Sequence, residues 1–461
     1  MKAQKIISLF FLLAMLVGCN SKADNMLRVS DINPRYFTDG SGKAVYLTGS
    51  HTWDNLVEMT IDPEQNTFDY NTYLKSLKFY HHNFFRLWAW DLLTLNTQGN
   101  MEKNSRLLFV FPQPWLRTGP GKALDGKPKF DLTKFNIEYF NRLKIRVEAA
   151  QNQDIYVSVM LFEGWGLQFS PGSFINHPFH PANNINQSVP ESLNDSLKLE
   201  IYELKHEKVT RLQEEYVRKV IETVGGFDNV LYEISNENHP ASTDWQYHMI
   251  HFIKEVELET GKPHPVGMTF QYKGGNNETL FNSPADWISP NREGGYRDNP
   301  PESTGAKVII ADTDHLGGIW GNRQWVWKSF LRGMNPIFMD PYKGKVFEKG
   351  AGSEWAEEVR IALGHTRRFA EKIDLINTIP AGNLASSCYC LANKGKEYLV
   401  YIHEGKETQI DLSSTDGKFS VEWFNPLNGT IEKGEDVNGN QKVELGSPFD
   451  AEEAIVYLKL K

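Results

Sequence analysis

Cysteine is scarce in this sequence, with only three among 461 residues. Cys388 and Cys390 stand two residues apart in a segment that we expect to be extended. This spacing points both thiols to the same face, which is a poor geometry for a bridge between them. We therefore expect no structural disulfide and no metal site built from cysteines.

The sequence also lacks a cluster of basic residues. Its formal net charge is -9 at pH 7, and it has no Lys- or Arg-rich stretch that would neutralise phosphates. No glycine-rich phosphate fingerprint follows the first predicted strand. These absences argue against a nucleic-acid partner and against a dinucleotide cofactor, and we expect no cofactor of any kind.

A long apolar run occurs at the N-terminus. Two lysines precede Ile6–Val17, and the run ends in Leu16–Cys19, the pattern that lipoprotein signal peptidase cuts before a lipidated cysteine. The run is too short to span a bilayer. We expect residues 1–19 to be a signal peptide, Cys19 to carry a lipid anchor in the cell-envelope membrane, and residues 20–26 to be a tether.

The remaining chain, about 440 residues, is longer than one hydrophobic core usually organises, so we expect a large and a small domain. From residue 27 to 380, short apolar segments alternate with amphipathic helical patterns, which predicts parallel strands and a (β/α)8 TIM barrel. The predicted strands are Ala44–Gly49, Asn83–Trp90, Ile155–Phe162, Val230–Ser235, Pro265–Phe270, Trp287–Ser289, Val308–Ala311 and Pro336–Met339.

Four other segments have distinct patterns. Leu27–Asp39 and Val45–Leu47, the latter within the first predicted strand, flank a turn and read as a hairpin that closes one end of the barrel. Two connections, Leu92–Lys129 and Gly166–Leu199, are long and follow the carboxyl ends of strands, where barrel enzymes build their sites, so we expect them to shape a substrate site. From residue 381 to 461, short alternating segments between Gly, Asn and Asp turns predict a small antiparallel β-sandwich.

The fourth predicted strand ends in Tyr232–His239, which reads Tyr-Glu-Ile-Ser-Asn-Glu-Asn-His. An Asn-Glu pair at the carboxyl end of the fourth barrel strand resembles the cellulase-like clan of retaining glycoside hydrolases, known as clan A. The resemblance implies that Glu237 is the catalytic acid/base and that Asn236 binds the sugar 2-hydroxyl. A glutamate in a solvent-exposed loop is the alternative interpretation of Glu237.

Further segments carry the same resemblance. Asn33–Phe37, Trp325–Phe330 and Asn335-Pro336 look like a group of bacterial hydrolases in this superfamily. The tail, with Val421–Pro426 and Ala454–Leu458, is similar to a C-terminal domain that carries a collagen-binding name in such proteins. We infer no collagen from that name and expect the domain to pack against the barrel.

The resemblance implies a second catalytic carboxylate at the end of strand seven, where the clan normally has glutamate. This sequence offers Asp312 and Asp314 there instead. Counting along the strand favours Asp312 as the nucleophile, with Asp314 as the nucleophile or a sugar ligand in the alternative. Because aspartate is shorter than glutamate, the carboxyl separation and the retaining or inverting outcome stay open. A polar cap, or a metal site with His315, is another reading.

Polar and aromatic residues after several strands complete a candidate sugar site. Arg86 matches the clan's arginine that orients the nucleophile, although a structural ion pair across the barrel explains it equally well. Glu163 is a rival acid. Tryptophans suit stacking on a sugar face, although each one singly is more often core. The candidate substrate-binding residues are Asn236, Arg86, His51, Trp53, Trp88, Glu163, Trp165, His239, Tyr272, His315 and Asp340.

The sequence thus predicts a glycoside hydrolase that cleaves poly- or oligosaccharides with two carboxyl groups and without a metal. Two alternatives remain: a non-catalytic carbohydrate-binding lipoprotein, and a metal-dependent hydrolase on the same barrel. The sugar, the linkage, the anomer and the oligomeric state are left open.

Overall fold

The computed structural model describes residues 26–61, 68–96, 107–169, 172–187, 189–342 and 352–461. The predicted signal peptide, the lipidation site Cys19 and tether residues 20–25 lie outside the described residues. Within the described ranges, no helix has the length and apolar character needed to cross a membrane.

Eight parallel strands form one sheet around the centre of the larger domain. They are β1 (Gly49–His51), β2 (Phe84–Leu87), β3 (Tyr156–Glu163), β4 (Val230–Asn236), β5 (Val266–Thr269), β6 (Trp287–Ser289), β7 (Val308–Asp312) and β8 (Asn335–Met339). Strands β2 to β8 pair in chain order, and β8 pairs with β1. The predicted TIM barrel is therefore confirmed.

The barrel closes where β1 meets β2. The backbone N–H of Asn83 donates a hydrogen bond of 3.0 Å to the carbonyl oxygen of Thr48. The two strands come so close that a Cβ on Gly49 would lie 2.1 Å from the carbonyl oxygen of Phe84. Only glycine fits at this position.

Helices cover the outside of the barrel. Asp69, Asn136 and Asn322 cap three of them by accepting backbone N–H groups, which fixes where each helix begins. The α-helices are Tyr70–Phe79, Ile137–Gln151, Trp165–Phe169, Glu207–Val224, Thr243–Thr260, Asn277–Asn282, Thr313–Gly317, Arg323–Leu331 and Glu354–Lys372. Single 3-10 turns are Ser173–Asn176, Lys198–Tyr202, Pro240–Ser242, Glu293–Gly295, Leu375–Asn377 and Gly382–Leu384.

The N-terminal hairpin covers the end of the barrel where the strands begin. Arg28–Val29 pairs antiparallel with Phe37–Thr38, and Phe37 also bridges to Val45. Leu27 and Phe37 pack in one buried apolar cluster with side chains at this end of the barrel: Leu47, Phe84, Leu231, Trp287, Val308, Ile310 and Ile337. Because this end is filled by apolar residues, polar chemistry is confined to the opposite end.

The first long connection folds with flanking residues into small antiparallel elements, whereas the second contains short helical turns. Glu58–Thr60, Thr94–Asn96 and Leu107–Phe111 form a three-stranded antiparallel sheet. Trp115–Lys122 and Pro128–Phe135 form a hairpin. The expectation that these segments shape a substrate site stays a prediction.

Antiparallel strands form the C-terminal part of the chain. One sheet contains Ile379–Pro380, Cys390–Asn393, Glu397–Ile402, Ala454–Leu460, Lys418–Phe424, Ile431–Lys433 and Val437–Asn438, and a ribbon contains Glu407–Asp411 and Lys442–Gly446. One face of the sheet packs on the barrel helices through Tyr401 and Phe424, which contact Trp327. The other face packs against the ribbon. This arrangement agrees with the predicted β-sandwich, and the boundary at residue 381 stays a prediction.

Candidate active site

Arg86, on β2, lies at the centre of a buried ionic network. Its Nε and Nη2 atoms donate to both carboxylate oxygens of Glu233 at 2.8 and 2.6 Å. Its Nη1 atom donates to Asp312 at 2.8 Å and to Asp314 at 2.9 Å, and Nη2 also donates to Asn236 Oδ1 at 2.6 Å. The side chain is 1% exposed. Arg86 therefore makes the ion pair across the barrel and also contacts both candidate second carboxylates.

Removing the Arg86 charge should strongly destabilise the fold. In Arg86→Met, Glu233 and Asp312 would stay buried without their cation, and breaking such a pair costs about 3 to 5 kcal/mol. Urea unfolding of the variant measures this loss. Arg211→Met is the control, because Arg211 pairs with Glu207 on an exposed helix face and its loss should cost less than about 1 kcal/mol. Equal effects of the two substitutions would contradict the structural role of Arg86.

Asp312 ends β7, and both of its carboxylate oxygens accept hydrogen bonds. Its Oδ1 accepts the backbone N–H of Asp314 at 3.0 Å and therefore caps the short helix Thr313–Gly317. His51 Nε2 lies 3.0 Å from the same oxygen, and the Trp88 indole N–H donates to His51 Nδ1 at 2.8 Å, which leaves the ring proton on Nε2. Burial acts to raise the pKa of Asp312, but His51 and Arg86 hold that pKa below its ordinary value.

Asp314 lies one residue into that helix and is less enclosed. Its side chain is 8% exposed, compared with 0% for Asp312. Its Oδ2 accepts from Arg86, whereas no residue in the described part of the chain hydrogen-bonds its Oδ1. Burial raises the pKa of Asp314 to about 6, although Arg86 acts to lower it. Asp314 is thus a carboxylate with one oxygen available to another molecule.

Glu237 follows β4 directly and has an unusual backbone conformation, with φ of +44°. Among the described residues none hydrogen-bonds its carboxyl group, although the residue is only 7% exposed. Burial raises the pKa of Glu237 well above its ordinary value, and the charges of Asp314 and Glu163 raise it further. These influences favour the protonated form of the carboxyl group, which is the form that a general acid requires.

Glu163 and a group of indole rings lie next to these carboxyl groups. Glu163 ends β3 and accepts the backbone N–H groups of Trp165 and Gly166 at 2.8 and 2.9 Å. Burial raises its pKa to about 8. The Trp53 ring contacts those of Trp165 and Trp88 at centroid distances of 5.7 and 5.8 Å, so the three candidate tryptophans form one cluster.

His315 and Asn236 link the two candidate catalytic strands. His315 Nδ1 lies 2.6 Å from Ser289 Oγ, and its Nε2 lies 3.2 Å from Asn236 Oδ1. Burial lowers the pKa of His315 well below its ordinary value, so the ring is neutral. The Asn236 Nδ2 group lies 3.5 Å from Glu163 Oε1. Asn236 is therefore fixed by charged and neutral partners.

Three predicted site residues differ in their surroundings. Both oxygens of Asp340 accept from Arg360 on the last barrel helix, so Asp340 forms a structural ion pair. His239 Nε2 lies 3.1 Å from Glu203, whereas its Nδ1 contacts the neighbouring Asn238. Tyr272 is half-buried, and burial and the nearby Glu237 raise its pKa. Of the three, only Tyr272 is coupled to the carboxyl cluster.

A metal ion at this site would compete with Arg86 for the same carboxylate oxygens. Asp312, Asp314 and His315 each bring a ligand atom within 4.8 Å of the others. However, Arg86 Nη1 already donates to both aspartates at 2.8 and 2.9 Å. Its positive charge opposes a divalent cation at this point, because like charges at such distances repel strongly in a buried site.

Two important residues of this site were not among the sequence candidates. Glu233 is the bidentate partner of Arg86, and Gln168 donates from its Nε2 to the carbonyl oxygen of Glu237 at 2.9 Å. Glu233 had a signal in the sequence, because a glutamate within an apolar buried strand needs a partner. Gln168 had none, since a single glutamine in a loop carries no pattern.

Comparisons with known proteins agree with this architecture. Residues 107–273 match the family model described as "Domain of unknown function (DUF6298)", and residues 377–455 match "Putative collagen-binding domain of a collagenase". A comparison with curated proteins gave no match.

Solved structures show the fold. A glycoside hydrolase family 5 protein from Bacteroides vulgatus ATCC 8482 superposes with a TM-score of 0.62 at 12% identity, covering 95% of this chain and 93% of that one. Another structure, titled "Glycoside hydrolase", gives a TM-score of 0.58 at 12% identity and covers 95% and 97%. The chain thus shares its fold with these glycoside hydrolase structures over almost its whole length, which confirms the predicted resemblance in architecture.

Proposed function

We propose that this protein is a glycoside hydrolase that cleaves O-glycosidic bonds of oligo- or polysaccharides with Glu237 and Asp314. One observation carries the proposal: the buried Glu237 carboxyl group has no hydrogen-bond partner among the described residues, and its pKa is raised by burial and by the charge of Asp314, an aspartate that the buried Arg86 holds. Hydrolysis of an acetal needs one neutral acid and one anionic carboxylate. The likeness in fold to glycoside hydrolases supports it.

In this proposal Glu237 gives its proton to the glycosidic oxygen as the bond to the anomeric carbon breaks. Asp314 faces the anomeric carbon and either bonds to it or stabilises its positive charge. Glu237, now ionised, then removes a proton from the water that attacks the anomeric carbon, and where Asp314 has bonded to this carbon, the attack breaks that bond and releases the carboxylate. Arg86 favours the anionic form of Asp314, and Asn236 Nδ2, which lies 3.5 Å from Glu163 Oε1, binds a sugar hydroxyl.

Asp314 is preferred over Asp312 because of its free oxygen. Both oxygens of Asp312 are committed, to His51 and the Asp314 N–H on one side and to Arg86 on the other. Among neighbouring charges, that of Asp314 does most to raise the pKa of Glu237, ahead of that of Asp312. Asp312 then serves to hold Arg86 and to cap the helix that carries Asp314.

A panel of aryl glycosides and oligosaccharides tests the proposed function directly. The mature chain, without residues 1–18, should hydrolyse at least one of them, and pretreatment with a chelator should leave the rate unchanged. Loss of the activity on chelation would favour the metal-dependent alternative. Binding of oligosaccharide without turnover would favour the carbohydrate-binding alternative.

The pH dependence of kcat/KM should be bell-shaped. Activity should rise as Asp314 ionises near pH 6, because its pKa is raised to about that value. It should fall at higher pH as Glu237 loses the proton that its raised pKa retains. Initial rates across the pH range measure both limbs. A profile that keeps rising with pH would exclude a protonated Glu237 as the acid.

We also propose that the protein works at the cell envelope, held by a lipid on Cys19. The motif Leu16–Cys19 supports this. Metabolic labelling with a fatty-acid analogue should tag the full-length chain but not its Cys19→Ala variant, and equal labelling of both would contradict the anchor.

A further inference from the structure

The short helix Trp165–Phe169 carries a side chain that links the segment after β3 to the segment after β4. It follows β3, and Gln168 on it uses both N–H bonds of its side-chain amide. One goes to the carbonyl oxygen of Gly164 and the other to that of Glu237, each at 2.9 Å. A single amide group therefore ties the chain after β3 to the chain after β4, at the residue proposed as the acid.

Glu237 needs such support because its backbone is in the left-handed region, with φ of +44°. This conformation is uncommon for a residue with a side chain, and it persists only where neighbours hold it. Its N–H contributes one contact, to Thr269 Oγ1 at a long 3.4 Å. The contact from Gln168 to its carbonyl oxygen is shorter, and in the described part of the chain no other donor contacts that oxygen.

The two connections also fit closely at Gly164. A Cβ at this position would lie 2.5 Å from Cγ of Asn238, so a larger residue would push the segment that holds Glu237 away. Glycine therefore permits the approach that brings Gln168 to the Glu237 carbonyl oxygen. The hydrogen bond from Gln168 to Glu237 thus depends on the close packing of the segments after β3 and β4.

The same helix carries an aromatic residue of the candidate sugar site. The Trp165 ring stacks on Phe169 at a centroid distance of 4.1 Å and contacts Trp53. Glu163 fixes the start of the helix through the N–H groups of Trp165 and Gly166. The helix that carries Trp165 therefore also contacts the backbone of Glu237, and it does so through Gln168.

We propose that Gln168 is a positioning residue that orients Glu237 for proton donation to the leaving group. The inference rests on the proposed function of Glu237. Gln168 acts through the backbone of Glu237 and has no need to contact the sugar. Its loss should therefore impair the step that requires the proton, while steps that need no proton should continue.

Leaving groups of different basicity test this role. The wild-type chain is compared with Gln168→Met, which keeps the length of the side chain but has no N–H donor, on two glycosides of the same sugar. A phenyl glycoside needs protonation of its leaving oxygen, whereas a dinitrophenyl glycoside does not. We expect kcat/KM, which reports the bond-cleaving step and not the later attack of water, to fall about tenfold on the phenyl glycoside, the effect of 1.4 kcal/mol on a barrier, with little change on the dinitrophenyl glycoside.

A second Gln168 variant and a control variant complete this experiment. Gln168→Asn keeps an amide but is one methylene shorter, and it should show the same selective loss if the reach to the Glu237 carbonyl oxygen matters. Gln409→Met, on the exposed ribbon of the C-terminal sheet, should match the wild type on both glycosides. Thermal unfolding confirms that each variant is folded under the assay conditions.

Equal loss on both glycosides in folded Gln168 variants, or no loss on either, would overturn the positioning role. These results differ from failure of the proposed function, which would appear as a wild-type chain that hydrolyses neither glycoside of any sugar in the panel.

Discussion

Glu237→Gln should lose about 10²- to 10⁴-fold in kcat/KM on glycosides with poor leaving groups, which is the usual contribution of a general acid. The amide has the shape of the carboxyl group but no acidic proton. Because the Glu237 carboxyl group has no hydrogen-bond partner among the described residues, the substitution breaks no structural contact. Steady-state rates on phenyl glycosides or oligosaccharides measure the loss.

Two controls make this result specific. On a dinitrophenyl glycoside, Glu237→Gln should form the first product at nearly the wild-type rate, since that leaving group departs without a proton. Glu163→Gln tests the rival acid, whose pKa is also raised, to about 8. A larger loss on phenyl glycosides in Glu163→Gln than in Glu237→Gln would transfer the acid role to Glu163.

Asp314→Asn should reduce kcat by at least about 10³-fold, because the transition state would lose the negative charge that faces its anomeric carbon. This variant should stay folded, since Asp314 Oδ1 has no hydrogen-bond partner among the described residues and Arg86 keeps its partners Glu233 and Asp312. Rates on the most reactive aryl glycoside, together with urea unfolding, separate the two properties.

Asp312→Asn is the matched comparison, with the same chemical change two residues earlier. We expect it to lower stability more than Asp314→Asn, because Asp312 is fully buried and binds His51, Arg86 and the helix N–H. If Asp312→Asn stays as stable as the wild type and loses all turnover, while Asp314→Asn remains active, the second carboxylate is Asp312.

The barrel was predictable from the sequence because its strands are short, apolar and regularly spaced. Trp287–Ser289 has the predicted bounds, and Val230–Asn236 differs by one residue. The first strand was predicted over Ala44–Gly49 but is observed at Gly49–His51. The difference arises because Val45 bridges to Phe37 of the N-terminal hairpin, an antiparallel contact that also suits an apolar residue.

The site was predictable only in part, since a strand order places residues at one end of the barrel without giving their partners. Position at strand ends brought Arg86, Glu237 and Asp314 forward as candidates. It equally brought forward Asp340, whose carboxylate is paired with Arg360, 20 residues later on the last barrel helix. Which oxygen stays free depends on contacts between distant segments, and no local pattern encodes them.

The central claim is that Glu237 and Asp314 face each other across the bond to be cleaved. A crystal structure of Glu237→Gln with an oligosaccharide that the wild type hydrolyses tests it most directly. We predict a glycosidic oxygen within about 3 Å of the side chain at position 237 and the anomeric carbon facing Asp314 Oδ1. A sugar whose anomeric carbon faces away from Asp314, or that binds outside the end of the barrel where these residues lie, would contradict the claim.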